Sequence, residues 1–411
     1  MIPQSLRSRY YRSFDKAHRL KNAGWPFAKM ALLELMHRFG GPRKPVAGET
    51  AKRLDAAVEW ICRAQDATED AGVSYGFFPG WPGNPWRPSY PETTGYIIYT
   101  MLRCASRLGR SDLVERAVRM AEWEIDIQMD SGAVQGGILC SRSDRTPAEF
   151  NTGMVLQGWT EAWRATSRPQ FLEAGRRAAD FLLAIQEADG SYPNLSKFVA
   201  QHRKKNYNVL CSWAVYRFGE DTGDFRYLHA AVRNVEAVIQ DQLPNGWITD
   251  NSLDDPQAPL THTIGYALQG ILEVGALASR EDFVSRARLG ADAILPAISD
   301  EGYLPGRFRS DWSAASLSSC LTGQAQIGVV LYRLFELTGE AKYREAGDRL
   351  INFLKATQRL SAPLEGCVGA VPGSWPLTGD YVPLGYPNWA TKYFIDALLY
   401  QLSFESPNHY E

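Results

Sequence analysis

Apolar positions along this chain recur with two rhythms that alternate. Segment 150–166 (FNTGMVLQGWTEAWRAT) is apolar on nearly all sides, as a helix surrounded by protein requires. Segment 171–185 (FLEAGRRAADFLLAI) repeats its apolar residues at 3–4 spacing and gives Arg176, Arg177 and Asp180 the opposite face. The first pattern predicts an inner helix, the second an amphipathic outer one. Inner patterns begin near Thr93, Asn151, Asn208, Thr261, Ser318 and Asn388, and outer patterns near Ala51, Ser111, Pro169, Asp224, Arg280 and Glu340.

Three ladders of residues share the spacing of these pairs. Gln128–Gly132, Gln186–Gly190 and Gln242–Gly246 repeat a Gln followed four residues later by Gly, and Ile298–Gly302 lacks only the Gln; the glycines step by 58, 56 and 56. Gln65 and Gln358 stand in the same phase and open longer loops. Gly95, Gly153, Gly265 and Gly323 mark the first turns of inner patterns, with a missing rung near Val209. Leu113, Phe171, Tyr227, Phe283 and Tyr343 mark the outer ones. A length of 411 residues alone suggests two or three domains, but six repeats of one helix pair replace that reading. An open solenoid needs polar caps at both ends, and the last pattern (NWATKYFIDALLYQL) is as apolar as its siblings. The predicted architecture is all-α: an (α/α)6 barrel, or six-hairpin toroid, over 49–405, with a basic helical arm at 1–48 and a tail at 406–411. Helical-repeat solenoids are the alternative, although their periods of about 34 or 40–47 residues are shorter.

Composition supplies a large core, with 45% hydrophobic residues, 12 Trp and 19 Tyr, and excludes disorder, collagen and coiled coil. No apolar run is long enough to predict a spanning helix. A net charge of −2 argues against nucleic acid as a partner, yet residues 1–48 hold ten Lys and Arg against two acids, a net of +8, which leaves the rest at −10. The arm alternates its basic residues with Tyr10, Tyr11, Phe14, Trp25, Phe27, Leu32, Leu33, Leu35 and Met36. It reads as an interfacial helix on anionic lipid, or as a segment docked on the acidic body of its own or a neighbouring chain. No secretory leader pattern opens the chain. The expected location is cytoplasmic, with a peripheral position at the inner membrane face if the arm binds lipid. The six cysteines lie at least 36 residues apart and form no ligand or disulfide spacing. They read as buried thiols in a reducing compartment, and neither a metal nor a cofactor is expected.

The long connectors, 66–92, 129–149, 187–206, 243–260, 299–316 and 359–387, all precede inner helices and therefore gather at one end of the ring. Binding and catalysis concentrate on such loops. Their aromatic residues suit sugar rings, which stack on aromatic faces while their hydroxyls take polar tips; Tyr75, Trp86, Tyr90, Tyr207, Trp247, Trp312 and Trp389 are the substrate-binding candidates of this kind. Arg142, Arg145, Arg203, Arg307 and Arg309 suit an anionic glycan. Asn151, Asn208, Asn388 and Lys392 stand at or near the inner-helix starts and complete the binding set. The catalytic candidates are Glu92, Asp254, Asp255 and His262, because period four faces period one across a six-fold ring. A hydrolase would use Glu92 as acid and an aspartate as base; a lyase or uronate epimerase would use His262 or a tyrosine as base.

The strings YPETTGYII (90–98), FNTGMVLQGW (150–159), LTHTIGYALQGILE (260–273), CLTGQAQIGVVLYRL (320–334) and GYPNWATKYFIDALL (385–399) resemble those of a bacterial α/α-toroid family. Its members are associated with exopolysaccharide and surface-glycan gene clusters and are loosely labelled prenyltransferase- or squalene-cyclase-like. The resemblance implies the toroid fold and a place in polysaccharide metabolism. A squalene-type cyclase needs a DxDD acid, and this chain offers only Asp254-Asp255 within DNSLDDP, so the terpenoid label reads as one of fold. The expected function is a carbohydrate-active enzyme that cleaves an acidic, uronate-containing oligo- or polysaccharide, with hydrolysis ahead of β-elimination or epimerisation. A non-catalytic glycan-binding assembly subunit is the alternative from another class, and a terpenoid cyclase the last.

Overall fold

The computed structural model describes residues 16–40, 45–195 and 204–405. Tyr10, Tyr11, Phe14, Arg203 and the tail lie outside the described residues. The arm supplies α1 (Trp25–Gly40). Outer helices α2 (Thr50–Asp66), α4 (Ser111–Ile127), α6 (Pro169–Ile185), α8 (Phe225–Gln240), α10 (Glu281–Ile294) and α12 (Ala341–Thr357) alternate with inner ones. The inner set is α3 (Pro91–Leu108), α5 (Glu149–Thr166), α7 (Val209–Thr222), α9 (Thr261–Leu277), α11 (Leu321–Thr338) and α13 (Asn388–Glu405). Neighbouring inner helices pack on one another, and α13 returns to both α2 and α3, so the (α/α)6 ring is closed. All twelve start within three residues of the positions the hydrophobic pattern indicates.

The two rhythms have the burial they require. Helix α5 buries every residue from Glu149 to Thr160, whereas α6 buries Phe171, Ala174, Gly175, Ala178, Ala179 and Leu182 and exposes Asp180. The outer ladder Leu113, Phe171, Tyr227, Phe283 and Tyr343 is fully buried. Each such side chain stabilises the ring by about 1.5–3 kcal/mol relative to exposure.

The Gln–Gly ladder is a clamp between successive outer helices. Gln128 Nε2 donates to Gly132 O (2.9 Å) and to Ala174 O of α6 (3.1 Å); Gln186 repeats this with Gly190 and Ala230 of α8, and Gln242 with Gly246 and Arg286 of α10. Gln358 closes the circle on Gly369 and on Arg53 of α2. Where the fifth repeat has Ile298, Gln324 reaches over from α11 and bonds Gly302 O (2.9 Å) and Leu350 O (3.0 Å) of α12. Glycine is needed at these turns because the next outer helix crosses directly over them: at Gly302, with φ of +84°, a Cβ would collide with the Arg349 carbonyl oxygen.

Inner helices run from the long-loop end to the short-connector end. Near their C-termini, Arg103, Glu161, Arg217, Glu273 and Arg333 follow one another at steps of 58, 56, 56 and 60 with alternating sign. Arg217 pairs with Glu161 (2.9 Å), Arg333 with Glu273 (3.3 Å) and Arg103 with Asp396 (3.7 Å). At the other end, β1 (Gly76–Phe77) pairs antiparallel with β4 (Tyr386–Pro387), Gly76 opposite Pro387, and joins the first long loop to the last. Strand β2 (Ser319–Cys320) pairs likewise with β3 (Ser374–Trp375).

The arm rests on the last long loop. Phe27 and Ala31 are buried, and Glu34 accepts from Arg359 Nη2 (2.8 Å) and from the Leu377 N–H (3.1 Å). One cysteine departs from the expectation of burial: Cys140 is exposed, because it lies on the second long loop rather than on a helix. Among the described residues no helix is long and apolar enough to cross a membrane.

Candidate active site at the mouth of the ring

Inner-helix N-termini meet at the long-loop end, and one threonine device fixes three of them. Thr94 Oγ1 donates to Tyr90 O (2.9 Å) and accepts from the Val73 N–H (3.0 Å); Thr152 does the same with Ala148 O and the Val134 N–H. Thr391 accepts from the Val371 N–H (3.1 Å). Each threonine therefore ties a long loop over the start of a helix, and Glu92, Glu149, Phe150 and Trp389, at the first two positions of these helices, face one space. That space is a cavity of about 140 Å³. Glu92 of α3, Glu149, Phe150 and Asn151 of α5, His262 and Tyr266 of α9 and Trp389 of α13 line it, together with Tyr90, Tyr207 and Tyr381 from the loops and their helix junctions. Tyr266 packs on Tyr393 and Tyr393 on Tyr96, which makes a tyrosine floor.

The two carboxyl groups differ in surroundings. Burial pushes the Glu92 carboxyl up to about 7, against the pull of the Tyr90 hydroxyl that donates to its Oε2 at 3.2 Å. About half of the molecules therefore carry Glu92 as the neutral acid at pH 7. Glu149 is held by two donors: Asn208 Nδ2 on Oε1 (2.9 Å) and the Leu195 N–H on Oε2 (3.1 Å). His262 is neutral, because burial pushes its imidazole down to about 4. Its Nδ1 donates to Gln326 Oε1 (2.7 Å), which leaves Nε2 as the unprotonated nitrogen. Two carboxyl groups and a neutral imidazole thus share one small chamber.

The structure brings together Glu92, His262, Tyr90, Asn151, Tyr207 and Trp389 of the residues indicated by sequence. Tyr75 stands directly behind them, edge-on to Tyr90 (5.2 Å) and Trp389 (4.7 Å). Asn208 acts through Glu149, and Asn388 clamps Ser74 O and Thr93 Oγ1. Asp254 and Asp255 do not reach the cavity: Asp254 pairs with Arg307 (2.7 Å) on the rim, half exposed, and Asp255 is exposed beside it. The loop turns outward there because Arg307 also binds Ala258 O. Lys392 lies below the floor in a buried pair with Asp396 (2.8 Å). Trp86 faces a separate outer groove and packs on Trp60 and Phe77. Trp247 and Trp312 pack on each other (5.2 Å), Arg145 donates to Ile127 O and Arg309 to Ala314 O, and Arg142 is exposed on its loop.

Glu149, Tyr266, Tyr381 and Gln326 are functional candidates that the sequence selection passes over. For Glu149 a signal existed, since it begins its helix at the mouth as Glu92 nearly does. Tyr266 lies one turn below His262, and that spacing also pointed inward. Tyr381 comes from an irregular loop and carried only the signal shared by all the aromatic residues of the long connectors. Among the described residues no group of three or more His, Cys, Asp or Glu side chains is disposed to hold a metal ion.

No protein-family profile matches the chain, and no curated protein matches its sequence. Solved structures do match. An unsaturated glucuronyl hydrolase from a Bacillus species, described as responsible for the degradation of glycosaminoglycan, superposes with a TM-score of 0.68 at 15% identity, over 87% of this chain and 97% of that one. A cellobiose 2-epimerase from Bacillus thermoamylovorans superposes with 0.69 at 11%, over 86% and 98%. A GH76 α-mannanase from Bacteroides thetaiotaomicron gives 0.63 at 15%, over 87% and 98%. At such identities the likeness is one of fold: this chain has the α/α-toroid that these glycan-processing enzymes share.

Proposed function

We propose that the chain is a glycoside hydrolase that removes a terminal sugar from a uronate-containing glycan of the cell surface or exopolysaccharide. The observation that carries this reading is Glu92: a carboxyl group raised to about 7, lodged in a sugar-sized cavity that a second, hydrogen-bonded carboxyl group, Glu149, also lines. A group that keeps its proton in about half of the molecules at pH 7 can give it to a glycosidic oxygen as the bond breaks, and Glu149 is the partner for water or for the developing positive charge. The cavity is far below the roughly 300–1,000 Å³ of a site for larger ligands, and a tyrosine floor closes it, so it suits one ring at a chain end. The uronate preference rests on the glucuronyl hydrolases among the fold neighbours and on the basic long loops, where Arg142 and Arg309 are exposed.

Product analysis tests the proposal. The purified chain is incubated with uronate-terminated oligosaccharides, saturated and C4–C5 unsaturated, and new reducing ends are measured with loss of the ultraviolet absorbance of the double bond. Release of a single terminal sugar supports the reading; internal cleavage or no release overturns it.

A second reading has its own observation. His262 is a neutral base whose Nδ1 is fixed by Gln326, which suits proton abstraction, and two fold neighbours are a cellobiose 2-epimerase and a sugar epimerase. Incorporation of solvent deuterium into the sugar without bond cleavage would select it.

A further inference from the structure

The arm has two apolar faces and the ring uses one of them. On α1, Phe27 and Ala31 are buried against the body, and Glu34 is clamped beneath them. On the other side Trp25, Leu32, Leu33 and Met36 are 71%, 50%, 44% and 60% exposed, with Lys29 exposed among them. At about 100° per residue these five fall within an arc of about 100°, so they form one stripe. Four of the ten large apolar side chains exposed among the described residues lie on this single helix. A stripe of this size on a soluble surface calls for a partner.

Charge decides which partner. Residues 1–48 carry a net of +8, against −10 for the rest of the chain. A second copy that offered its own arm would bring like charge onto like charge. The outer wall of a second body is acidic but offers few exposed apolar side chains: Phe225 and Leu337 are the large ones on its helix side and connectors. A surface that is both anionic and apolar beneath satisfies both features of the stripe.

We propose that α1 is a membrane-docking helix that seats on an anionic lipid bilayer, with the Trp25–Met36 stripe in the headgroup boundary and the surrounding lysines and arginines on lipid phosphates. The seat is firm on the protein side. Lys16 Nζ donates to Thr378 O (2.6 Å) and Arg19 Nη1 to Pro383 O (3.4 Å), on the same long loop that carries Tyr381 into the cavity. The arm therefore lies at the mouth end of the ring, and docking brings the mouth beside the bilayer, where it meets a glycan tethered to that surface.

Sedimentation of the full chain with phosphatidylcholine vesicles, with and without phosphatidylglycerol, tests this. The chain co-sediments with the anionic vesicles, less with the neutral ones, and less again in high salt. Trp25 emission, isolated as the difference from Trp25→Phe, shifts to shorter wavelength on binding. Leu32→Glu/Leu33→Glu lowers partition at least about 10-fold and leaves the thermal transition in place, since both side chains lie outside the hydrophobic core. Absence of co-sedimentation with anionic vesicles, or equal binding by the double variant, overturns the proposal. A lipid-free dimer seen by light scattering and abolished by the double variant also overturns it, by making a second copy the occupant.

Discussion

Replacing Glu92 with Gln separates the cost of this carboxyl group from its use. Its folded value is about 7 against 4.5 for an ordinary glutamate, so between these values the native state holds a proton that the unfolded chain has lost. Stability therefore falls as pH rises through that window. At about 1.4 kcal/mol per pKa unit the full effect is about 3 kcal/mol. Contact of the cavity with solvent reduces the part read between about pH 5 and 8 to about 2 kcal/mol. Gln is neutral throughout and removes the effect. Urea unfolding of both proteins at the two pH values measures it: the variant equals the wild type within about 1 kcal/mol at pH 5 and exceeds it by about 2 at pH 8. Parallel stabilities at both pH values would refute the reasoning, because Glu92 would then ionise as freely in the folded chain as outside it.

Other groups give sharper single-site outcomes. Asn208→Ala frees Glu149 Oε1, and kcat on a cleaved glycoside drops about 10-fold or more while urea unfolding shows a cost of about 1–3 kcal/mol for the buried oxygen that loses its donor. Lys392→Met leaves Asp396 buried without its closest cation and costs about 3–5 kcal/mol in denaturant unfolding, whereas Lys392→Met/Asp396→Leu recovers most of it. Glu124 is buried with neither oxygen bonded to protein, and burial pushes it well above the carboxylate range. Glu124→Met raises stability by about 1–3 kcal/mol near neutral pH, with a gain that grows as pH rises, because only the wild type must hold its proton in the folded state.

The ring was legible because its repeat is a packing rule written in residue types. Gln128, Gln186 and Gln242 recur because each clamps the next outer helix, and Leu113, Phe171, Tyr227, Phe283 and Tyr343 because each fills the same buried position. Even the gap at Ile298 has a cause, since Gln324 supplies the missing amide from another helix. The alternating charges from Arg103 to Arg333 share that period and escape notice when only glycines, glutamines and rings are compared. Much of the site was legible by the same logic: a residue near a helix start at the mouth points inward, as Glu92 and His262 do. The loops were not. Asp254 lies in the loop just before α9, yet an exposed turn and a pair with Arg307 carry it outward. Loop arginines drawn toward backbone carbonyls, as Arg145 and Arg309 are, show no periodicity that marks them as structural.

The central claim is that Glu92 protonates a leaving oxygen, and leaving-group dependence in Glu92→Gln tests it most directly. The variant and the wild type are compared on one sugar carrying either an alkyl alcohol or a dinitrophenol. An alkoxide needs the proton and a dinitrophenolate does not. The account predicts a loss of at least about 10²-fold on the alkyl glycoside and near-wild-type rates on the dinitrophenyl one. An equal loss on both would contradict it.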